Sequence, residues 1–466
     1  MSAMNIPART RYRRRVGGFG NIDVKHDESV LDFSTAASCY NFDLTSGALR
    51  DGYGIAEHPM IKDGARRFWV FRGYCSKHKQ IEDQYVYQNG NGLLKYYDLN
   101  SKTTHYISGM QYPPLDMLNY RLNSEDVLIM SCDGRKLYTW NGSIISEHKE
   151  SPTVSSMALH YERLFVTSRD EPTKVFFSDN LDPTNWNMSS SEGGFIELLD
   201  ERGDLNKVVS FGSYLYIFRD HGISRVTAFA DQSEFAVVNL FTSAGRIFPS
   251  SIAKCGSVMM FLASDGLYVF DGYECSRVLH GLDGLILPDD NCASAYFNGK
   301  YFLSCRMSFG DGATVGCESG EYKANAMLVY DTATGEYSIT RGLDINFMNA
   351  CSLVDEDVLM ACDGQKCGVI VKNGSRFDEP LAKHWQGPLT DLGSPDKTKT
   401  VREVYVGSTV DCVVSLSSGE KKKSAAVKRG NRRVRFNINA KRLALTVQTD
   451  AVGCNISPPT LIYTTT

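Results

Sequence analysis

EDVLIMSCDGRKLYTWNGS, Glu125 to Ser143, recurs as EDVLMACDGQKCGVIVKNGS from Glu356 to Ser375, and MMFLASDGLYVFDG, Met259 to Gly272, is a shorter relative. Each copy reads as an apolar strand, an Asp-Gly turn, a second apolar strand and often a further Asn-Gly or Asp-Gly turn. Glycine supplies the positive φ that a tight hairpin turn demands, and Asp and Asn tolerate the adjoining left-handed position. Each copy is therefore a hairpin, and a repeated hairpin constrains the whole fold more than any local propensity does.

Working outward, equivalent central turns lie at Gln88 to Gly92, Asp133-Gly134, Arg169 to Thr173, Asp220 to Gly222, Asp265-Gly266, a long insertion at Ser308 to Asn325, and Asp363-Gly364. These make about seven units spaced by roughly 37 to 53 residues, the length of a four-stranded β-propeller blade. Helical periodicity is nearly absent, while Val, Ile, Tyr and Phe alternate with turn signals every 8 to 12 residues or so, which predicts an all-β chain. Two readings compete with seven blades: six blades plus a closing supplement, or a pair of large β-sandwiches.

Two regions fall outside the repeats. Residues 1–60 carry a basic arm followed by strand-like patches that could close the ring. Residues 61–383 hold the propeller. From about His384 the pattern changes, and VREVYV and RLALTV alternate with period two, which predicts a C-terminal β-sandwich over residues 384–466.

A chain of 466 residues is too long for one ordinary core, which agrees with a repeat architecture plus an appendage. With 42% hydrophobic and 22% charged residues it is globular rather than disordered. Thirteen scattered cysteines, odd in number, favour reduced thiols over a disulfide framework. The N-terminal MSAMNIPARTRYRRRVGGFG lacks the apolar core of a signal peptide, and no run of about 18 apolar residues predicts a membrane-spanning segment. The expectation is a protein that folds in a cytosol.

The stretch VFFSDNLDPTNWN, Val175 to Asn187, resembles the aspartate-box hairpin of sialidase propellers. That box is a folding device: Asp179 or Asp182 would hold turn amides, Pro183 would fix the turn, and Trp186 would anchor the blade. A structural turn is the expected role. A glycoside hydrolase would need two carboxylates about 5 to 10 Å apart, which sequence cannot show. Cys75-Ser-Lys-His78 and Cys362-x4-Cys367 come nearest to metal-ligand spacing, but no CxxC pair or second cluster completes a four-ligand set. Cys132 and Cys362 hold the same place in two repeats, as small apolar residues would. With no GxxxxGK[ST] loop and no strand-placed GxGxxG, nothing cradles a nucleotide. The expectation is no catalytic residue, no metal and no cofactor.

Charge is more informative. Between Lys421 and Arg442 lie Lys421, Lys422, Lys423, Lys428, Arg429, Arg432, Arg433, Arg435, Lys441 and Arg442, with no Asp or Glu, in a chain whose net charge is -4. Arg9, Arg11, Arg13, Arg14 and Arg15 form a second cluster. Three readings stay open: solvated loops, non-specific contact with double-stranded DNA, and docking on an acidic neighbour. With no recognition helix visible, sequence-specific readout is not expected.

NFDLTSGALRDGYGI near the start, VFFSDNLDPTNWN mid-chain and PLTDLGSPDKTKTVREVYV before the end together resemble the β-propeller structural proteins of tailed bacteriophages. The nearest comparisons are the nozzle (tail tubular) and packaged-DNA stabilisation proteins of short-tailed phages. The resemblance implies a virion tail protein that folds in the bacterial cytoplasm. It implies a homohexameric ring around the DNA channel, below the portal and its adaptor, serving head-to-tail connection and DNA ejection. It supplies no catalytic residues. The insertion at Gly310 to Tyr322 and the basic stretch from Lys421 to Arg442 have no counterpart in that pattern. A carbohydrate-binding propeller of a host-recognition device is the alternative, with a glycoside hydrolase behind it.

Overall fold

The computed structural model describes residues 10–466 except 62–63, 76–77, 111, 230, 244, 310–323 and 420. Arg9 and the insertion at Gly310 to Tyr322 lie outside the described residues. The described chain is strand and turn, interrupted by three single-turn 3₁₀ helices, so no helix in it is long and apolar enough to cross a membrane.

Seven antiparallel sheets follow one another along the chain, six with four consecutive strands at their heart and the seventh with three. Blade one runs from Arg67 to Tyr106, blade two from Pro114 to His148, blade three from Ser156 to Glu197 and blade four from Leu205 to Thr242. Blade five runs from Ala253 to Val278, blade six from Ala293 to Arg341, and blade seven begins with Phe347–Ser352, Asp357–Cys362 and Cys367–Val371. The seven connections found in the sequence all fall between the second and third strands of these blades, and each joins an antiparallel pair. The fold is a seven-bladed β-propeller joined to a β-sandwich.

Burial explains the strand sequences. The second strand of a blade is covered by neighbouring blades on both faces, so Arg163–Thr167 and Val258–Ala263 are buried almost throughout and read as continuous apolar runs. First strands alternate, as in Pro114–Leu122, because one side faces the axis or solvent. Apolar clusters fill the wedges around the ring. Trp69, Phe71, Leu128 and Trp140 pack blade one on blade two, and Phe68, Tyr87, Met360 and Cys362 pack blade seven back on blade one.

The ring closes with a strand from the other end of the chain. Gly54–Glu57 pairs antiparallel with Cys367–Val371, joining Ile55 to Ile370, and becomes the fourth strand of blade seven. A tie between sequence-distant strands holds a ring shut that would otherwise depend on side-chain packing at its seam.

The sandwich draws on both chain ends. One sheet contains Tyr12–Arg15, Thr460–Thr465, Lys399–Ser408, Gly430–Ala440, Asn455–Ile456, Leu49–Asp51 and Phe42–Asp43. The other contains Ser38–Tyr40, Lys383–Gln386, Ala444–Thr449, Cys412–Ser417 and Lys422–Val427. Residues 1–60, read as a basic arm and a ring-closing segment, supply the closing strand Gly54–Glu57 and also four short sandwich strands, which are completed by partners hundreds of residues away. Trp385 is fully buried between the sheets and meets Phe19 edge-on at 4.7 Å. The same apolar core continues into Leu262, Leu303 and Leu328 of blades five and six. Asn41 adds backbone and side-chain bonds to Ile339 and Arg341 at that seam, so sandwich and propeller share one core.

Candidate functional site

The outer face of the larger sandwich sheet is built on Lys399–Ser408. On one side it pairs with Thr460–Thr465, which pairs in turn with Tyr12–Arg15; on its other side lies Gly430–Ala440. Register aligns Arg15, Thr460, Tyr405 and Arg433 in one row, and Arg13, Ile462, Glu403 and Arg435 in the next. Directly paired residues share a face and neighbours along a strand alternate. Arg13, Arg15, Arg433 and Arg435 therefore project on one side, while Val404 and Leu461 fill the core on the other. Three strand spacings put the two arginine rows about 14 Å apart.

Two clusters separated by over four hundred residues thus meet. Arg15, Arg432 and Arg433 line one groove of about 450 Å³ together with Tyr405, Asn431 and Ser457. Lys421, Lys441 and Arg442 line a separate groove of about 640 Å³ at the other end of Gly430–Ala440. The remaining cations divide by their partners. Arg433 is ion-paired with Glu403, Lys428 with Asp411 at 2.7 Å, and Lys423 Nζ donates to the carbonyls of Phe436 and Asn437 at 3.1 and 2.8 Å. Arg429 bonds Asp411 through its backbone N–H. Hydrogen bonds from Lys428 and the Arg429 amide hold the Asp411 carboxyl below the usual carboxylate range. Arg11, Arg13, Arg14, Arg15, Lys421, Lys422, Arg432 and Arg435 are exposed and form no ion pair among the described residues.

The aspartate-box-like segment lies elsewhere, between the third and fourth strands of blade three. Asp179 accepts from the amides of Asn180 and Glu192 at 2.8 and 3.1 Å and from Asn185 Nδ2 at 2.9 Å. Asp182 accepts from the Thr184 amide and hydroxyl. Trp186 is buried among Val127, Leu164 and Phe176, between blades two and three. All three side chains are occupied within the turn and the wedge.

Sequence reasoning missed a cleft of about 850 Å³ where inter-blade loops converge, lined by Arg66, Arg67, Asp290, Asp344, Asp363 and Arg376 among others. Arg376 bonds Asp344 and Asp363 at 2.6 and 3.0 Å, and Arg246 bonds Asp290 at 2.9 Å. Each of these carboxylates faces a guanidinium. No local motif announces the cleft, since its residues come from loops of blades one, five, six and seven. On the first strand of blade four, Lys207 Nζ donates to the carbonyls of Pro249 and Ile252, and burial pulls its ammonium below the usual lysine range.

No family model matches the chain, and no curated protein matches it. Among solved structures, BBS1N, crystallised in complex with ARL6DN, superposes with a TM-score of 0.45 at 11% identity, covering 69% of this chain and 97% of that one. Virginiamycin B lyase from Staphylococcus aureus gives 0.44 at 9% identity over 69% of this chain and 99% of the lyase. PorZ, a surface component of the type-IX secretion system of Porphyromonas gingivalis, gives 0.44 at 8% identity over 80% of this chain and 46% of its own length. These are likenesses of fold.

Proposed function

We propose that this chain is a structural subunit of a bacteriophage tail, a nozzle-like ring that contacts the genome non-specifically as it is retained and conducted. The observation that carries this reading is the shared arginine face, where Arg13 and Arg15 from one chain end project on the same side as Arg433 and Arg435 from the other, and of these four only Arg433 has a carboxylate partner among the described residues. Exposed cations without carboxylate partners are what a polyanion requires, and a flat strand-built face without a recognition helix suits backbone contact rather than base readout. In this account six copies encircle the channel next to the portal and its adaptor. The propeller is a stiff wall, loops make the subunit contacts, and the arginine face tunes adhesion to DNA. The pairing of the cleft carboxylates with Arg246 and Arg376 weighs against a two-carboxylate hydrolase.

The test is a salt series of duplex-DNA binding by the full chain. Each phosphate contact adds about 0.9 to the slope of log affinity against log salt. Arg15→Glu with Arg435→Glu is expected to weaken binding equally on unrelated duplexes and to flatten that slope, while Lys149→Glu, next to the last strand of blade two, leaves both unchanged. DNA binding that is absent at low salt, or indifferent to the charge reversals, would contradict contact with the genome and leave an acidic protein neighbour as the occupant.

A further inference from the structure

We propose that Cys75, His78 and Glu82 form a binding site for a divalent transition-metal ion of the zinc type, at the tip of the first hairpin of blade one. The sequence offers only a Cys-x-x-His pair; the hairpin register supplies the third donor. Gly73 pairs with Glu82 and Cys75 with Gln80, so Cys75 and Glu82 fall diagonally on the same face of the ribbon. The Lys79 amide donates to the Cys75 carbonyl at 2.8 Å, and the His78 ring lies between the Cys75 and Glu82 side chains. One donor atom from each residue lies within 4.8 Å of the other two, the one such trio among the described residues.

The distances decide what the trio can hold. Cys75 Sγ is 3.6 Å from His78 Nδ1, and His78 Nδ1 is 2.7 Å from Glu82 Oε1. Tetrahedral zinc with ordinary bond lengths places thiolate sulfur and imidazole nitrogen about 3.6 Å apart, and nitrogen and carboxylate oxygen about 3.3 Å apart. The first separation is already met. The second opens by roughly half an ångström when the ion replaces the proton shared by His78 and Glu82, with the thiol giving up its own proton on binding. Gln80 Nε2 donates to Glu82 Oε1 at 3.1 Å and so orients the carboxylate from outside the donor set. Sulfur, nitrogen and oxygen donors together select zinc or cobalt over magnesium or calcium. Three protein donors leave one coordination position, open to a groove of about 1140 Å³ that also presents Asp126 and Arg121.

Cobalt(II) titration of the full chain, followed by absorbance, tests the site directly. The expected result is saturation at one equivalent, with a thiolate-to-cobalt charge-transfer band, tetrahedral visible bands, and displacement of both by zinc. Cys75→Ser is expected to abolish the charge-transfer band, His78→Gln and Glu82→Gln to weaken binding at least about tenfold, and Gln80→Ala to weaken it by a smaller factor. Circular dichroism should show unchanged folding, because the hairpin tip lies outside the apolar wedges. Absence of a charge-transfer band at millimolar cobalt would overturn the proposal, as would an undiminished band in Cys75→Ser.

Discussion

At Gly54 and Gly368 the tie that closes the ring leaves no room for a methyl group. A Cβ on Gly54 would lie 2.1 Å from the Ser375 carbonyl oxygen, and one on Gly368 would lie 2.3 Å from that of Ala56. Both obstacles are backbone, which cannot rotate away. Gly368→Ala is expected to cost about 1 to 3 kcal/mol in urea unfolding, whereas Gly90→Ala, with no neighbour within 4 Å, is near neutral. His58 and His160 set a pH dependence. Burial lowers both imidazoles to about 4, with His58 against the rings of Phe68 and Tyr85 and His160 bonded to Ser210. Between about 6.5 and 4 the unfolded chain takes up protons at these residues and the native chain does not. Their contribution is therefore greatest above that window and lost as pH falls through it. Thermal melts should drop from pH 7 to 5, and His58→Gln combined with His160→Gln should flatten the drop; an equal slope in the double variant would assign it to other groups.

At the scale of elements, the blade hairpins were legible because their turn chemistry is local: Asp133-Gly134 and Asp363-Gly364 carry their own signal. The sandwich pattern in Lys399–Ser408 and Ala444–Thr449 was legible for the same reason, as period two needs only a few residues. Ser38–Tyr40, Phe42–Asp43 and Leu49–Asp51 are too short to show a period, and Ser38–Tyr40 pairs with Lys383–Gln386, more than 340 positions away. The arginine face was half legible: composition exposed its two clusters, but only long-range strand pairing unites them. The Cys75 and His78 pair was visible and its Glu82 partner was not, because that contact belongs to the hairpin register. Removing residues 1–15 tests the edge strand as a unit. Tyr12–Arg15 is exposed along its whole length and stacks Tyr12 on Tyr463, while the buried Val16 stays in place. The truncation should shift melting by only a few degrees and reduce the salt slope of DNA binding. A collapse of the melt would instead make the strand a stabilising element of the fold.

For the molecule as a whole, the design is a ring whose seam and appendage both use residues from the two chain ends. Gly54–Glu57 closes blade seven, and the adjoining segment is woven into a sandwich whose core runs into blades five and six. Propeller and sandwich are thereby fixed to each other, and the arginine face is carried on a paired sheet rather than on a loose arm. Cryo-electron microscopy of the native particle tests this account most directly. It predicts a ring of copies on the portal-tail axis with Arg13, Arg15, Arg433 and Arg435 turned toward the DNA path. A peripheral or monomeric position, with that face in bulk solvent, would contradict it.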